Sequence, residues 1–268
     1  MSQVPEQTLG TPRKVSLTSV WIFYVLVYFI VYVANYLVLA GYVRLNLLQR
    51  LLINTALAAL LFVGIYFISK HFVGGWNPRM IGFSRENFAK SLLLASAVLT
   101  PLQIFIVVEA NLVGVGSFIT RMSIPWLSPP YQLWLPFYAI ILWLLSGLTS
   151  FSILQAFPHS LLKNYKHSMI AIAALWVGLY NAPLLTGELL VDDILFLGIL
   201  FLVVYHYTEN ALGLIIVYVL AYEGPILWTI GVAWGTGAVL ATLYARMIWC
   251  TMSALIFIGI RLTKRRWI

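Results

Sequence analysis

Residues 18–41 read TSVWIFYVLVYFIVYVANYLVLAG, a run without a single charged side chain. About 20 apolar residues in a helix are enough to cross the hydrocarbon core of a bilayer. The run therefore predicts a membrane-spanning helix, and it is too long for the core of a signal peptide. The polar residues before it, 1–16, are expected to form a short cytoplasmic tail.

Seven further apolar runs of comparable length follow the first one. They lie at residues 47–69, 90–117, 131–157, 168–186, 190–207, 211–230 and 237–260. The composition agrees, because only 9% of the residues are charged, whereas a soluble domain carries about a quarter. The sequence predicts an all-α, polytopic membrane helix bundle of about eight transmembrane helices over residues 17–260, followed by a basic cytoplasmic tail at 261–268.

The distribution of basic residues predicts the orientation. With the N-terminus inside, twelve of the 16 Lys and Arg residues fall on the inner side and three on the outer side, and Arg246 lies within a span. The positive-inside rule then favours an even number of spans in the cell membrane, with both termini cytoplasmic. The net charge of +8 is interpreted as orientation and contact with anionic lipid, because no basic stripe with interleaved aromatic residues indicates nucleic-acid binding.

Three prolines, one predicted turn and one cysteine lie within or between the predicted spans. Pro101, Pro136 and Pro225 lie within them and are expected to kink the helices. Residues Gly231–Thr236 are expected to form the turn of a hairpin between the last two spans. Cys250 is the one cysteine, so an internal disulfide and a cysteine-based metal site are excluded.

The ionisable residues deep inside the predicted spans are Glu109, Glu223 and Arg246. A charge at the centre of a transmembrane helix costs about 2.5–3.5 kcal/mol and needs a partner or a wet cavity. Glu223 and Arg246 lie at similar depth on the predicted hairpin, so we expect a buried ion pair, with a purely structural or a functional role left open. Glu109 has no evident partner in the sequence. The four histidines are expected in loops or at helix ends, with His206 at the inner membrane edge beside Glu209.

Three stretches in order resemble the CAAX-protease and bacteriocin-processing family of intramembrane proteins, called CPBP or Abi. The first is Trp76-Asn-Pro-Arg-Met-Ile-Gly-Phe-Ser-Arg-Glu-Asn-Phe88, a basic loop with a hydrophobic-Gly step. The second, Leu175–Pro183, is similar to the family's Phe-x-x-x-His segment, and the third, Leu197–Glu223, to its Gly-rich helix and final motif helix. The resemblance covers about residues 75–230 and implies a membrane bundle of eight helices.

The resemblance also implies a site whose chemistry this chain lacks. Active members are thought to bind a metal or activate water through Glu-Glu-x-x-x-Arg, Phe-x-x-x-His and His-x-x-x-Asn/Asp motifs. The aligned positions here are Ser150, Phe151 and Gln155, then Val177 and Asn181, then Val219 and Glu223. No catalytic set is intact, so we expect a pseudoenzyme without metal or cofactor.

What remains at these positions is an uncharged polar cluster. Its members are Thr149, Ser150, Ser152, Gln155, Tyr180 and Asn181. Such side chains join transmembrane helices by hydrogen bonds, but they could also line a binding cavity.

Three functions compete for this sequence. The leading hypothesis is a non-catalytic scaffold or binder of membrane lipids or of another membrane protein. The first alternative is an intramembrane endopeptidase with divergent motifs. The second is a small-solute transporter using Glu109, Glu223 and Arg246, against which no inverted repeat and no matched pair of broken helices is evident.

Overall fold

All regular structure is helical in the computed structural model, which describes residues 16–41, 47–121, 134–181, 193–222 and 224–263. The α-helices are α1 (Leu17–Gly41), α2 (Leu47–Phe72), α3 (Phe88–Val98), α4 (Thr100–Val113), α5 (Val115–Arg121), α6 (Leu135–Gly147), α7 (Phe157–Leu162), α8 (Ser168–Asn181), α9 (Phe201–Thr208), α10 (Ala211–Val217), α11 (Gly224–Trp234) and α12 (Thr236–Leu262). Three wider π-helical segments interrupt them: π1 (Leu148–Ala156), π2 (Asp193–Leu200) and π3 (Tyr218–Tyr222). The all-α prediction is confirmed for the described residues.

Membrane-spanning capacity is clear for part of the chain. The continuous helices Leu135–Leu162 and Thr236–Leu262 are long and apolar enough to cross a bilayer. Two bent pairs, Phe88–Val98 with Thr100–Val113 and Ala211–Tyr222 with Ile226–Trp234, bring the number to four if each pair forms one span. Within the described ranges the structure therefore gives two to four candidate spans.

Two bends confirm the kinks predicted at Pro101 and Pro225, in runs 90–117 and 211–230. The bends measure 44° and 45°, so two broken helices occur among the described residues, where the sequence had shown no matched pair. Pro101 lies in the first turn of α4 and Pro225 is the second residue of α11, where a missing N–H and a bulky ring favour a new helix start over continuation. Pro136 is the second residue of α6, and because residues 122–133 lie outside the described ranges, the kink predicted there stays a prediction.

The predicted hairpin turn is confirmed at its C-terminal end. Gly235 separates α11 from α12 with a φ of 85°, and its N–H donates to the carbonyl of Gly231 over 2.9 Å. A positive φ strains any residue with a Cβ, so glycine is the residue that allows this abrupt reversal. The two helices then pack against each other.

A tight seam joins α3 to the segment around α10. The α3–α10 seam consists of Gly82, Ser91, Asn210 and Gly213. The Ser91 hydroxyl donates to the carbonyl of Asn210 over 2.8 Å, and the N–H of Ala211 donates to the carbonyl of Gly82 over 2.9 Å. A Cβ on Gly213 would come within 2.7 Å of the backbone nitrogen of Leu92. Small residues thus allow the backbones to approach closely.

Candidate functional site

The first family-like motif position falls on π1. Ser150, Phe151 and Gln155 are all buried there. A π-helix carries an extra residue per turn and occurs most often as a short irregularity inside α-helices, frequently at functional sites. The irregular backbone therefore coincides with the residues that the resemblance singles out.

Each π segment has a carbonyl group that accepts a hydrogen bond from a side chain on another element. The Tyr24 hydroxyl donates to the carbonyl of Ile153 in π1 over 2.8 Å. The Gln155 amide donates to the carbonyl of Leu197 in π2, and the Gln103 amide to that of Ala221 in π3, both over 2.6 Å. Because the apolar interior offers few other acceptors, these three side chains place their buried donors on backbone carbonyls of other helices. We call them the π ties.

Aromatic packing brings the first and third family-like motifs together. The Phe151 ring lies 5.1 Å from the Tyr218 ring, centroid to centroid, and 5.5 Å from the Phe201 ring. Val219, which follows Tyr218 on π3, is buried. The interior at these positions is therefore filled by side chains from π1, α9 and π3.

The second motif lies on α8, which contacts both π1 and π2. The backbone of α8 includes Val177, Tyr180 and Asn181, but their side chains lie outside the part of the chain that the structure describes. Glu223 also lies outside the described residues. The elements carrying all three motif positions are thus neighbours, while the contacts of these four side chains stay predictions.

The predicted polar cluster divides into two kinds of contact. Gln155 joins two helices, as expected, whereas the Thr149 hydroxyl turns back to the carbonyl of Leu145 on its own helix over 3.3 Å. The Ser152 hydroxyl and the Gln155 side-chain carbonyl are buried and have no hydrogen-bond partner among the described residues. Among the described members of the cluster, Gln155 joins helices as predicted, and the Ser152 hydroxyl is buried without a described partner.

The ionisable residues that the sequence singled out are spread over several elements. Arg246 is only 4% exposed on α12, and Glu109 is half-buried on α4. The partner predicted for Arg246, Glu223, lies outside the described residues, so the ion pair remains a prediction. Arg79 and Glu86 form a 2.8 Å ion pair in the loop before α3, where both side chains are largely exposed.

The four histidines lie in loops or at helix ends, as predicted: His71, His159 and His206 are in the last turns of α2, α7 and α9, and His167 is in the turn before α8. His159 lies on α7, 5% exposed, inside the continuous helix Leu135–Leu162. Its Nε2 lies 3.0 Å from Nδ1 of His206 on α9, so the exposed His206 contacts a buried ring. Pro158, beside His159, lies in the first turn of α7, where proline is tolerated.

No group of three or more His, Cys, Asp or Glu residues within metal-binding reach occurs in the described ranges. Comparison with models of known protein families, with curated protein sequences and with solved structures gives no match to this chain. The described residues therefore define a class: they are helical, they contain two to four helices able to cross a membrane, and neutral polar side chains join these helices in the interior.

Sequence reasoning missed Tyr24 and Gln103 as functional candidates. Both are buried polar residues within long apolar runs, at 18–41 and 90–117. A hydrogen-bond donor buried in such a run needs a partner, because lipid offers none. That signal was present in the sequence, although the π segments that supply the acceptors were not.

Proposed function

We propose that this chain is a multi-pass membrane protein of about eight spans that acts by binding membrane lipid or another membrane protein, without catalysing a reaction. Both termini lie in the cytoplasm in this proposal, and the bundle is of the CAAX-protease-like kind. The resemblance of residues 75–230 and the asymmetry of basic residues support it.

The observation that supports a non-catalytic role is the packing around π1, where side chains fill the positions aligned with the catalytic motif. Phe151 packs its aromatic ring against Tyr218 and Phe201, and the Gln155 amide donates to the carbonyl of Leu197. An active centre at this place would need a base or a Lewis acid beside a water molecule. Phe151 and Gln155 instead hold neighbouring helices together, by ring packing and by a hydrogen bond between neutral groups.

The outward faces support lipid or protein partners. Ile248, Met252 and Leu255 are exposed on α12, and Phe105 and Leu112 are exposed on α4. Large apolar side chains that share an exposed face indicate contact with lipid or with another protein. The binding surface of this proposal is therefore the outer face of α4 and α12.

Photo-crosslinking tests this surface directly. A photoreactive phenylalanine analogue at Ile248 or Leu255 should capture lipid or one discrete membrane partner in native membranes. The same analogue at Leu243, which is buried on the same helix, is the matched control and should capture neither. Equal capture at exposed and buried positions would contradict the proposed surface.

A cleavage assay tests the non-catalytic part. Purified protein in detergent should leave prenylated and transmembrane peptides intact. Cleavage that disappears in the Gln155→Ala variant, but persists in the exposed Met252→Ala variant, would overturn the proposal in favour of an endopeptidase.

One observation favours transport as a second candidate. The Gln103 amide, four residues after the break at Leu99, donates to the carbonyl of Ala221, close to the second break. The Gln103 side-chain carbonyl and the Thr100 hydroxyl are buried and have no partner among the described residues. Broken helices that meet in this way form substrate sites in transporters.

Water access separates transport from the leading proposal. In a Cys250→Ser background, Thr100→Cys should resist a charged thiol reagent if the interior is closed, as should Ser253→Cys, the buried control on α12. Fast labelling of Thr100→Cys alone would indicate a wet cavity at the breaks and would favour transport.

A further inference from the structure

Two short segments of the chain carry the same pattern of polar residues. Thr100-Pro-Leu-Gln103 begins α4, and Ser152-Ile-Leu-Gln155 lies within π1. In each segment a hydroxyl residue precedes a glutamine by three positions, which is less than one helical turn. Each segment therefore places two polar side chains close together in an otherwise apolar stretch.

Both glutamines use their amide group in the same way. The Gln103 amide donates to the carbonyl of Ala221 in π3, and the Gln155 amide donates to the carbonyl of Leu197 in π2, both over 2.6 Å. Both glutamine side chains are fully buried. Because the nitrogen and the oxygen of an amide lie in one plane, the bond to a second helix also fixes the direction of the side-chain carbonyl.

Four buried oxygen atoms are left over after these bonds are made. They are Oγ1 of Thr100, Oε1 of Gln103, Oγ of Ser152 and Oε1 of Gln155, and none of them has a hydrogen-bond partner among the described residues. A buried polar atom without a partner is costly, and native proteins satisfy nearly all such atoms with protein groups or ordered water. The same two kinds of atom recur in both segments, which indicates a common ligand.

The chemistry of the two pairs selects the ligand. A glutamine carbonyl only accepts a hydrogen bond, whereas a hydroxyl both donates and accepts. Water can donate to the carbonyl and accept the hydrogen of the hydroxyl, so that both groups are satisfied. A metal cation would leave the hydroxyl hydrogen unbonded, and its charge would be costly because neither segment contains an acidic residue.

We infer that each of the two segments binds internal water, at Thr100 with Gln103 and at Ser152 with Gln155. Buried water of this kind bonds to polar groups that the protein itself leaves over, and it is costly to remove. The same glutamine side chain then holds a π segment with its amide and water with its carbonyl. Both sites are separate from the exposed apolar faces of α4 and α12 that the proposed function uses.

Removal of each hydroxyl tests the sites by the sign of the change in Tm. Thr100→Val and Ser152→Ala delete the hydroxyl with little change in volume. If the hydroxyl binds water, the Tm of the full chain in detergent should fall by about 2–4 °C. Thr242→Val and Ser96→Ala are the matched controls and should change the Tm less, because these hydroxyls donate to carbonyls of their own helices.

An unchanged or raised Tm would overturn the site at which it is seen, because removal of a buried hydroxyl without a partner does not destabilise a protein. A high-resolution structure of the full chain in lipid nanodiscs should show ordered water about 2.7–3.2 Å from each hydroxyl and each glutamine carbonyl. A protein side chain in that place would contradict the inference.

The choice of water over a cation has its own test. The Tm of the wild-type protein should be equal in sodium, potassium and choline chloride at the same concentration. A Tm that rises in sodium or potassium, and that loses this response in Thr100→Val or Ser152→Ala, would identify a cation site and overturn the inference.

Discussion

The α3–α10 seam and the π ties join the same bundle in opposite ways. In the seam, Gly213 and Ser91 bring two backbones so close that a single added methyl group would clash. In the π ties, long side chains such as Gln155 and Tyr24 reach across to carbonyls of distant helices. The seam thus depends on small side chains that leave room for two backbones. The π ties depend on a long side chain that carries a hydrogen-bond donor.

This difference predicts unequal tolerance to substitution. A backbone contact cannot move without shifting a helix, and packed interiors resist such shifts. A side-chain tie can be lost locally, because the net value of one hydrogen bond is about 1 kcal/mol. We therefore expect the seam to control whether the protein folds, and the π ties to control local geometry.

The largest expected effect comes from Gly213→Ala. Its Cβ would meet the Leu92 nitrogen at 2.7 Å and the Ser91 side chain at 2.6 Å, so the variant should lose about 3 kcal/mol of stability. Thermal unfolding in detergent measures the loss. Gly259→Ala on α12, where nothing lies within 4 Å of the new Cβ, is the matched control. An equal change in Tm in both variants would contradict a special role of the seam in stability.

Asn210→Ala should have the next largest effect. The buried Asn210 side chain accepts from the N–H of Gly213 at the start of α10 and donates to the carbonyls of Ser84 and Glu86. Loss of a helix cap and of two buried contacts should cost about 2 kcal/mol. The same thermal assay checks this value. Asn210→Asp keeps the acceptor for the N–H of Gly213 but loses the amide that donates to Ser84 and Glu86. If this variant is as stable as wild type, the helix cap accounts for the whole effect.

Gln155→Leu should have the smallest effect, within about 1 kcal/mol of wild type. The change leaves the Leu197 carbonyl without its side-chain donor, but it also removes a buried side-chain carbonyl that has no partner among the described residues. Gln155→Ala is the comparison, since it adds a cavity and should cost more. A large decrease in Tm in Gln155→Leu would mean that the π ties contribute as much to stability as the seam does.

The sequence predicted the helices well, because apolar runs of the right length leave few alternatives in lipid. Each of the eight predicted runs is largely helical where the structure describes it. The prediction of eight spans is untested beyond the two to four candidates that the described helices give. The breaks at Leu99 and after Tyr222 could be placed only approximately, since proline marks a helix start as well as a kink.

The candidate site was predicted less completely. Burial of Ser150, Phe151 and Gln155 followed from their position in an apolar run, but no local pattern marks a π turn, which depends on tertiary packing. The contact between His159 and His206 joins residues 47 positions apart. Long-range pairs of this kind need the fold before they can be recognised.

The orientation of the chain is the most direct test of the central claim, a multi-pass membrane protein with both termini in the cytoplasm. Single cysteines placed after residue 268 and within residues 119–130, in a Cys250→Ser background, can be labelled from either side of intact cells. The account predicts labelling from opposite sides, with the C-terminal cysteine protected from an impermeant reagent. Labelling of both positions from the same side would contradict it.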